Sequence, residues 1–472
     1  MFNTTRFTDL VAWTGGQLRP GARADFLVRS LSSDTRSLQN GEVFVALRGD
    51  QFDGHRFIDE AIKRGAAGVI AETLPEGSPD VPFLIVEDAL QAWINIAVKI
   101  RERFQGPVVA ITGSAGKSST KEMVAKLLGP DTVASPASFN NLLGVSKTLC
   151  LVGDATRNLV LEMGMNAPGE IREMCDRFRP EFGLISNIGD AHIGRLGGQE
   201  GIFRAKKELF DFLAAQPTKT QGIALNAEDP LVVRAAAEAF AMPVRTLRYS
   251  ADPKTPADVW VKEKSLDPNR GSLRLTIAVA GDAFDISLPI YGMHHAQNVA
   301  GSIALATLMG VSLSEIRQRL SLIQAAPHRG QIMELAEGRV LIDESYNSNP
   351  TALISSLESL ARLNPDKPRL LVLGEMREMG EYSRSLHQKV GRAVVELFTK
   401  LPITVVGVGK EMEAMAQEVR QGLPQVSVQV IETAEAAIDV VRQRFAPDSL
   451  CLVKGSRGVK LDIVVEALRR QL

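Results

Sequence analysis

The sequence predicts an α/β protein of three domains: a small α/β N-terminal domain, a central P-loop doubly wound parallel sheet with an antiparallel flap, and a C-terminal Rossmann-like domain. Three observations carry this. The chain has 472 residues, about three domains at roughly 150 residues each. Short apolar runs alternate with helical periodicity over most of its length, the pattern of parallel sheets wrapped by helices. One of those runs leads directly into a glycine loop and a helix.

Residues 1–104 hold the apolar runs Glu42 to Leu47, Gly68 to Ala71 and Phe83 to Val86, with helical spacing around Phe57 to Arg64. They read as the small α/β domain. A helix ending at Gly106-Pro107 and the buried-type strand Val108 to Thr112 set the first boundary. From 105 to about 325, strands at Asn158–Gly164, Phe182–Gly189 and Gly222–Asp229 alternate with helices. Polar and apolar residues then alternate between Val259 and Tyr291 around a Pro-Asn-Arg-Gly turn, predicting the antiparallel flap. Helical spacing returns at Ala296 to Leu308. Residues 326–472 repeat strand and helix, with strands at Val340–Ser345, Arg369–Glu375, Ile403–Gly409, Ser427–Glu432 and Leu450–Ser456. No GxGxxG follows the first of these strands, so a dinucleotide fingerprint is missing.

Composition narrows the partners. Lys and Arg number 54 against 55 Asp and Glu, a net charge of −1, which argues against a sequence-independent nucleic-acid binder or a polybasic membrane surface. No stretch reaches the roughly 20 apolar residues of a membrane helix. The start, MFNTTRFTDLVAWTGG, has no signal-peptide pattern. Cys150, Cys175 and Cys451 stand far apart without a CxxC pair, so neither a disulfide framework nor a structural zinc site is expected, and a reducing cytoplasm is the simplest location.

The strongest local signal is Thr112-Gly-Ser-Ala-Gly-Lys-Ser-Ser119 between a strand and a helix. Gly113 and Gly116 let the amides of Gly113, Ser114, Ala115, Gly116, Lys117, Ser118 and Ser119 turn toward phosphate oxygens, and the new helix adds its positive end. Lys117 would reach the β- and γ-phosphates and Ser118 would offer a hydroxyl to Mg²⁺. The strict GxxxxGK[ST] spacing is not met, since Ile111 stands where its first glycine belongs; the bland alternative is a helix cap with a solvated lysine. Glu162 closes one strand, His192 follows another, and Lys206 lies further on in Phe-Arg-Ala-Lys-Lys-Glu. A helix-capping glutamate, a loop histidine and a solvated lysine are the ordinary readings of each alone. Together, downstream of a phosphate loop, they suggest a metal-assisted site.

The strings TGSAGKSS, LEMGMN, SNIGDAHIG and AKKELF resemble, in order and spacing, the motifs of the ATP-dependent Mur ligases of peptidoglycan synthesis. Folylpolyglutamate synthetases share the loop and architecture. Asp343-Glu-Ser-Tyr-Asn-Ser-Asn-Pro350, with Arg329-Gly-Gln-Ile-Met-Glu-Leu335, Gly374 to Gly380 and Val453 to Arg457, resembles the member that adds D-alanyl-D-alanine to UDP-N-acetylmuramoyl-tripeptide. The D-N-P-R string of the diaminopimelate-adding relative is missing. Ser33-Asp34-Thr35-Arg36, followed by Gly41 to Gly49 and Phe52 to His55, resembles the segment that holds the uridine nucleotide. Ser118, Glu344, Ser348 and Glu375 depart from the commoner family residues.

The resemblance implies an ADP-forming amide ligase acting through an acyl phosphate and a tetrahedral intermediate, with ATP and two Mg²⁺ ions. It implies Lys117 on the phosphates, and Ser118, Glu162, His192 and a carbamylated Lys206 on metal. Asn298 would lie near adenine, Arg329 at the γ-phosphate on closure, and Asp343 at the ribose. Tyr346 and Asn347 would shape the D-alanyl-D-alanine end. A monomer is expected. A P-loop switch or motor, or a non-catalytic nucleotide module, would fit the loop without using Glu162, His192 and Lys206.

Overall fold

The computed structural model describes residues 4–19, 24–49, 52–74, 81–189, 193–216 and 221–471. They fall into two compact units. The first comprises Met1–Ala110, Pro130–Met165 and Glu170–Glu181; the second comprises Ile111–Gly129, Asn166–Gly169 and Phe182–Leu472.

In the first unit a five-stranded sheet runs Gln17–Leu18, Phe83–Ile85, Gly68–Ala71, Val43–Val45, Leu31–Ser32. Its last four strands are parallel, and Gln17–Leu18 pairs antiparallel to Phe83–Ile85. Phe44, Val69, Ile58, Ala61 and Phe83 fill one core. The helix Ala89–Arg103 starts where the Asp88 carboxylate accepts from Gln91 N, and it buries Ala92, Trp93, Ile96, Ala97 and Ile100 along one face. The chain then turns extended at Phe104, ahead of Gly106-Pro107, and the helix stops. This unit also holds the parallel pair Thr132–Ala134 and Asn158–Glu162, and the helix Leu142–Leu149, capped by Asn141.

The second unit carries two sheets. In one, Gly222–Asn226 lies between Phe182–Ile185 and Arg245–Ser250, all parallel. Val259–Leu266, Ser272–Val279 and Asp282–Tyr291 then form the predicted antiparallel flap. Its second turn is Ala280-Gly281, with φ of 51° and 94°, the left-handed pair that a two-residue hairpin requires. The other sheet runs Gln331–Glu334, Val340–Glu344, Leu450–Lys454, Arg369–Gly374, Ile403–Val408, Ser427–Ile431.

Five of those six strands are parallel, as the unbroken apolar runs predict; Gln331–Glu334 is an antiparallel edge strand that polarity concealed. Alternate residues feed opposite cores: Ile342, Leu371, Val405 and Leu452 on one face, Leu341, Val372, Val406 and Val453 on the other. Helices therefore cover both faces, and the fold is doubly wound. All three cysteines are free and buried, and among the described residues no helix is long and apolar enough to cross a membrane.

Candidate active site

The phosphate loop is held in shape from below. Its strand Val108–Thr112 is buried throughout, and the helix Lys117–Leu128 begins directly after Gly116. Gly113 and Gly116 have φ of 147° and 81°, and neither tolerates a side chain: a Cβ on Gly113 would fall 1.9 Å from Ser186 Oγ, one on Gly116 2.4 Å from Asn298 Oδ1. The segment Ser186-Asn187-Ile188-Gly189 braces the loop. Ser114 N donates to Asn187 O (3.0 Å) and Ala115 N to Asn187 Oδ1 (2.9 Å). Asn187 Nδ2 and Ser186 Oγ both donate to Ala115 O, while Gly189 N donates to Ser114 Oγ (2.9 Å). Lys117 folds back so that Nζ donates to Gly113 O at 2.7 Å. The amides of Ser114 and Ala115, expected to turn toward phosphate, are therefore taken up by Asn187, and the Lys117 ammonium with the start of its helix are what the loop offers to phosphate oxygens.

Two adjacent lysines separate cleanly on the helix Gln199–Ala215. Lys207 is partly buried and pairs with Asp211 at 2.6 Å. Lys206 is 2% exposed, so it does not lie on a solvated face. Burial, with the Lys117 ammonium adding repulsion, pushes its pKa well below the ordinary lysine value. The lowered pKa favours the uncharged form of its amine.

Glu162, in the first unit, ends its strand fully buried, with Asn140 Nδ2 donating to Oε1 at 2.9 Å and its own amide donating to Ser135 Oγ. It does not cap a helix. His192 lies outside the described residues.

A cavity of about 450 Å³ opens beside the loop. It is lined by Ser119, Glu122, Met123 and Lys126 from the helix after the loop, His295 from the helix His295–Leu308, and Arg329 after Ala326-Pro327. Asn298 sits inside that helix rather than at its cap, with its amide between Gly116 and His295 Nδ1 (3.2 Å). The Arg329 guanidinium stacks on the Tyr346 ring at 3.8 Å, and Arg457 stands 5.6 Å from the same ring. Asp343 is buried and fully engaged: Oδ1 accepts from Ser345 N and Oγ, and Oδ2 lies 2.8 Å from His328 Nδ1. Asn347 is exposed, and its carbonyl accepts from Lys454 Nζ.

The first unit contains a second polar cluster. Asp34 accepts from the backbone and guanidinium of Arg36, and these bonds hold its carboxyl down at about 2. The turn they fix, closed by Ser37 N and Leu38 N on Asp34 O, buries Thr35 and leaves Arg36 exposed. Ser33 Oγ accepts from Lys147 Nζ at 2.8 Å, and that ammonium sits 5.1 Å from the Trp93 ring centroid. Burial lowers the Lys147 pKa.

Three family descriptions match in succession: "Mur ligase family, catalytic domain" over 27–109, "Mur ligase middle domain" over 111–306, and "Mur ligase, glutamate ligase domain" over 328–457. The UDP-N-acetylmuramoyl-tripeptide–D-alanyl-D-alanine ligase of Synechocystis sp. is 33% identical, covering 94% of this chain and 92% of its own. The chain belongs to the Mur ligase family. The enzyme of the same name from Escherichia coli is 31% identical over 94% of this chain and 95% of its own. Among solved structures, MurF from Acinetobacter baumannii superposes with a TM-score of 0.82 at 27% identity, covering 99% of both chains. MurF ligase from Thermotoga maritima in complex with ADP gives 0.77 at 25%, covering 94% of this chain and 98% of that one.

For a Mur ligase, the residues that sequence reasoning missed are the ones that hold others in place. Ser186 and Asn187 were visible only as part of a motif whose histidine drew attention. Their signal was available: a polar Ser-Asn pair directly after an apolar strand, at the end of a parallel sheet where ligands bind. His328, which orients Asp343, gave none, because nothing in its local string marks a contact across 15 residues.

Proposed function

We propose that this chain is an ATP-dependent, ADP-forming ligase that joins D-alanyl-D-alanine to the terminal carboxylate of UDP-N-acetylmuramoyl-tripeptide. The observation that carries the reading is the match to ligases of that name over 94% of the chain. The loop geometry, the buried lysine and the cavity reaching Arg329 support it. In this reading residues 1–104 hold the uridine nucleotide, 105–325 hold ATP, and 326–472 close on ATP and receive the dipeptide. The enzyme acts as a cytoplasmic monomer, without nucleic acid or membrane insertion.

A free carboxylate is a poor electrophile. Its oxygen attacks the γ-phosphorus of ATP, ADP leaves, and the resulting acyl phosphate presents an activated carbonyl. The amine of D-alanyl-D-alanine attacks that carbon, a tetrahedral intermediate forms, and phosphate departs as the nitrogen loses a proton. The protein's part is to bring mutually repelling anions into line and to neutralise them.

Lys117 exchanges Gly113 O for phosphate oxygens, and the loop braced by Asn187 receives the phosphate chain. Asn298 meets the adenine edge with the part of its amide not held by His295, Asp343 gives up His328 to reach the ribose, and Arg329 leaves Tyr346 to meet the γ-phosphate. Tyr346 and Asn347 then shape the dipeptide end, and Ser33 to Arg36 hold the uridine nucleotide. The hydroxyl of Ser118 and the buried carboxylate of Glu162 are hard oxygen donors of the kind Mg²⁺ takes. In this reading His192 would be a further ligand, and the Lys206 amine would add CO₂ with loss of a proton to become a carbamate, another oxygen donor. Mg²⁺ bound by such groups would supply positive charge against the phosphate and carboxylate oxygens.

The test is a product assay with UDP-N-acetylmuramoyl-tripeptide, D-alanyl-D-alanine and ATP. Stoichiometric ADP, phosphate and UDP-N-acetylmuramoyl-pentapeptide are expected. Phosphate release without amide product overturns the reading.

A further inference from the structure

Outside the residues given a role above, His294, His295 and Glu344 converge: one nitrogen from each ring and one carboxylate oxygen lie within 4.8 Å of one another. We propose that these three residues form a binding site for a transition-metal cation of the zinc class. A zinc ion takes nitrogen and oxygen at about 2.0–2.2 Å in a tetrahedron, so small side-chain rotations bring the three atoms onto one ion. The rings pack against each other with centroids 4.3 Å apart at the start of the helix His295–Leu308. Glu344 ends the strand Val340–Glu344.

The carboxylate is already aimed. Ser356 Oγ donates to Glu344 Oε2, and Lys454 Nζ stands 3.4 Å from the same oxygen. The other oxygen, Oε1, is thereby left toward His294 Nε2 at 3.6 Å. Partners of this kind, holding a ligand from behind, are what fixes the geometry of metal sites. His295 is 3% exposed; its Nδ1 lies against the Asn298 amide, and its Nε2 is buried with no hydrogen-bond partner. Asn298 Nδ2 faces His295 Nδ1 at 3.2 Å, which puts the ring proton on Nε2; turning the amide so that Oδ1 accepts from Nδ1–H gives Nε2 the lone pair that an ion needs. A buried imidazole nitrogen left unbonded, as His295 Nε2 is, is rare and calls for a ligand.

Two imidazoles and one carboxylate favour zinc-like cations over Mg²⁺ or Ca²⁺, which take oxygen. Burial pushes the pKa of the partly exposed His294 down to about 3 and lowers that of His295 in the same direction, which favours the neutral imidazoles that a metal takes. His295 also lines the 450 Å³ cavity, which gives the ion a way in. A bound ion would tie the helix of the middle segment to the strand of the C-terminal one.

The experiment uses tag-free, full-length protein stripped of metal and titrated with Zn²⁺ against a chromophoric chelator, and with Co²⁺ followed by visible absorption. One equivalent of saturable binding is expected, unaffected by millimolar Mg²⁺. His294→Ala and the near-isosteric Glu344→Gln should each weaken it by about tenfold or more, with the thermal transition retained. Absence of saturable binding, or wild-type affinity in both variants, overturns the proposal. Neither measurement reads ligase activity, so the site and the proposed reaction fail separately.

Discussion

The phosphate loop and the turn that carries Tyr346 both follow parallel strands, yet they are built on opposite principles. In the loop, backbone is held by backbone and short side chains: Gly113 and Gly116 fit because Ser186 and Asn298 leave no room for a Cβ, and Asn187 bonds both Ser114 and Ala115. In the turn, Asp343 fixes Ser345 while the charged group nearby, Arg329, is held by a stack on the half-buried Tyr346 ring. The stack contributes roughly 0.5–2 kcal/mol and is made by a side chain that can rotate, whereas the loop is bonded through its backbone. One region is therefore fixed by its backbone, and the other presents its cation on a long side chain.

That contrast is broken most directly at Lys117. Lys117→Ala removes the ammonium from a loop whose backbone stays braced, so the fold should survive with an unchanged thermal transition while turnover falls by about 10³-fold or more, in line with loss of a preorganised charge. A steady-state assay checks it; turnover within tenfold of wild type would mean the loop does not serve phosphate. Arg329→Ala comes next, with kcat down by about 10²-fold and ATP affinity within a few-fold, read by comparing turnover with nucleotide titration. If affinity and turnover fell together, Arg329 would belong to ground-state binding rather than to closure.

Asn187→Leu tests the brace itself. It leaves Ala115 N and O without their amide partners in a half-buried loop, a cost of about 1–3 kcal/mol. A lowered thermal transition and weaker ATP binding are expected together, with a smaller loss of turnover than either charge deletion gives. Unchanged nucleotide affinity would show that the loop holds its shape without Asn187.

These differences also explain what could be read from sequence. Strands such as Arg369–Gly374 and Ile403–Val408 were legible because buried parallel strands are apolar on both faces and leave an unbroken run. Gln331–Glu334 was not, because an edge strand with partly exposed residues carries no such run. Gly113, Gly116 and Lys117 were legible as a loop between strand and helix, since the chemistry is local. Asn298 came only through resemblance, and His328 and Asn187 not at all as site residues, because their meaning lies in partners 15 to 182 positions away: His328 with Asp343, Asn187 with Ala115, Asn298 with Gly116. Composition and period report what a residue is buried in, not what it reaches.

The sharpest internal control is the lysine pair. In the folded protein the Lys206 pKa is depressed far below 10.5, so between that lowered value and the ordinary one the unfolded chain binds more protons than the native state. Stability therefore rises with pH across this window. Lys206→Met should raise the thermal transition at neutral pH by a few degrees, and the advantage should shrink as pH climbs toward 10.5, where the unfolded amine also loses its proton. Lys207→Met removes an i,i+4 pair with Asp211 whose side chains are 17% and 39% exposed, worth about 0.3–0.5 kcal/mol, and its small loss should not vary across the same pH range. Melting curves of both variants at several pH values decide the matter. A Lys206→Met advantage that stayed flat with pH would mean that the buried amine is matched by a counter-charge in the folded state, and its reading as an uncharged group ready for CO₂ would fall with it.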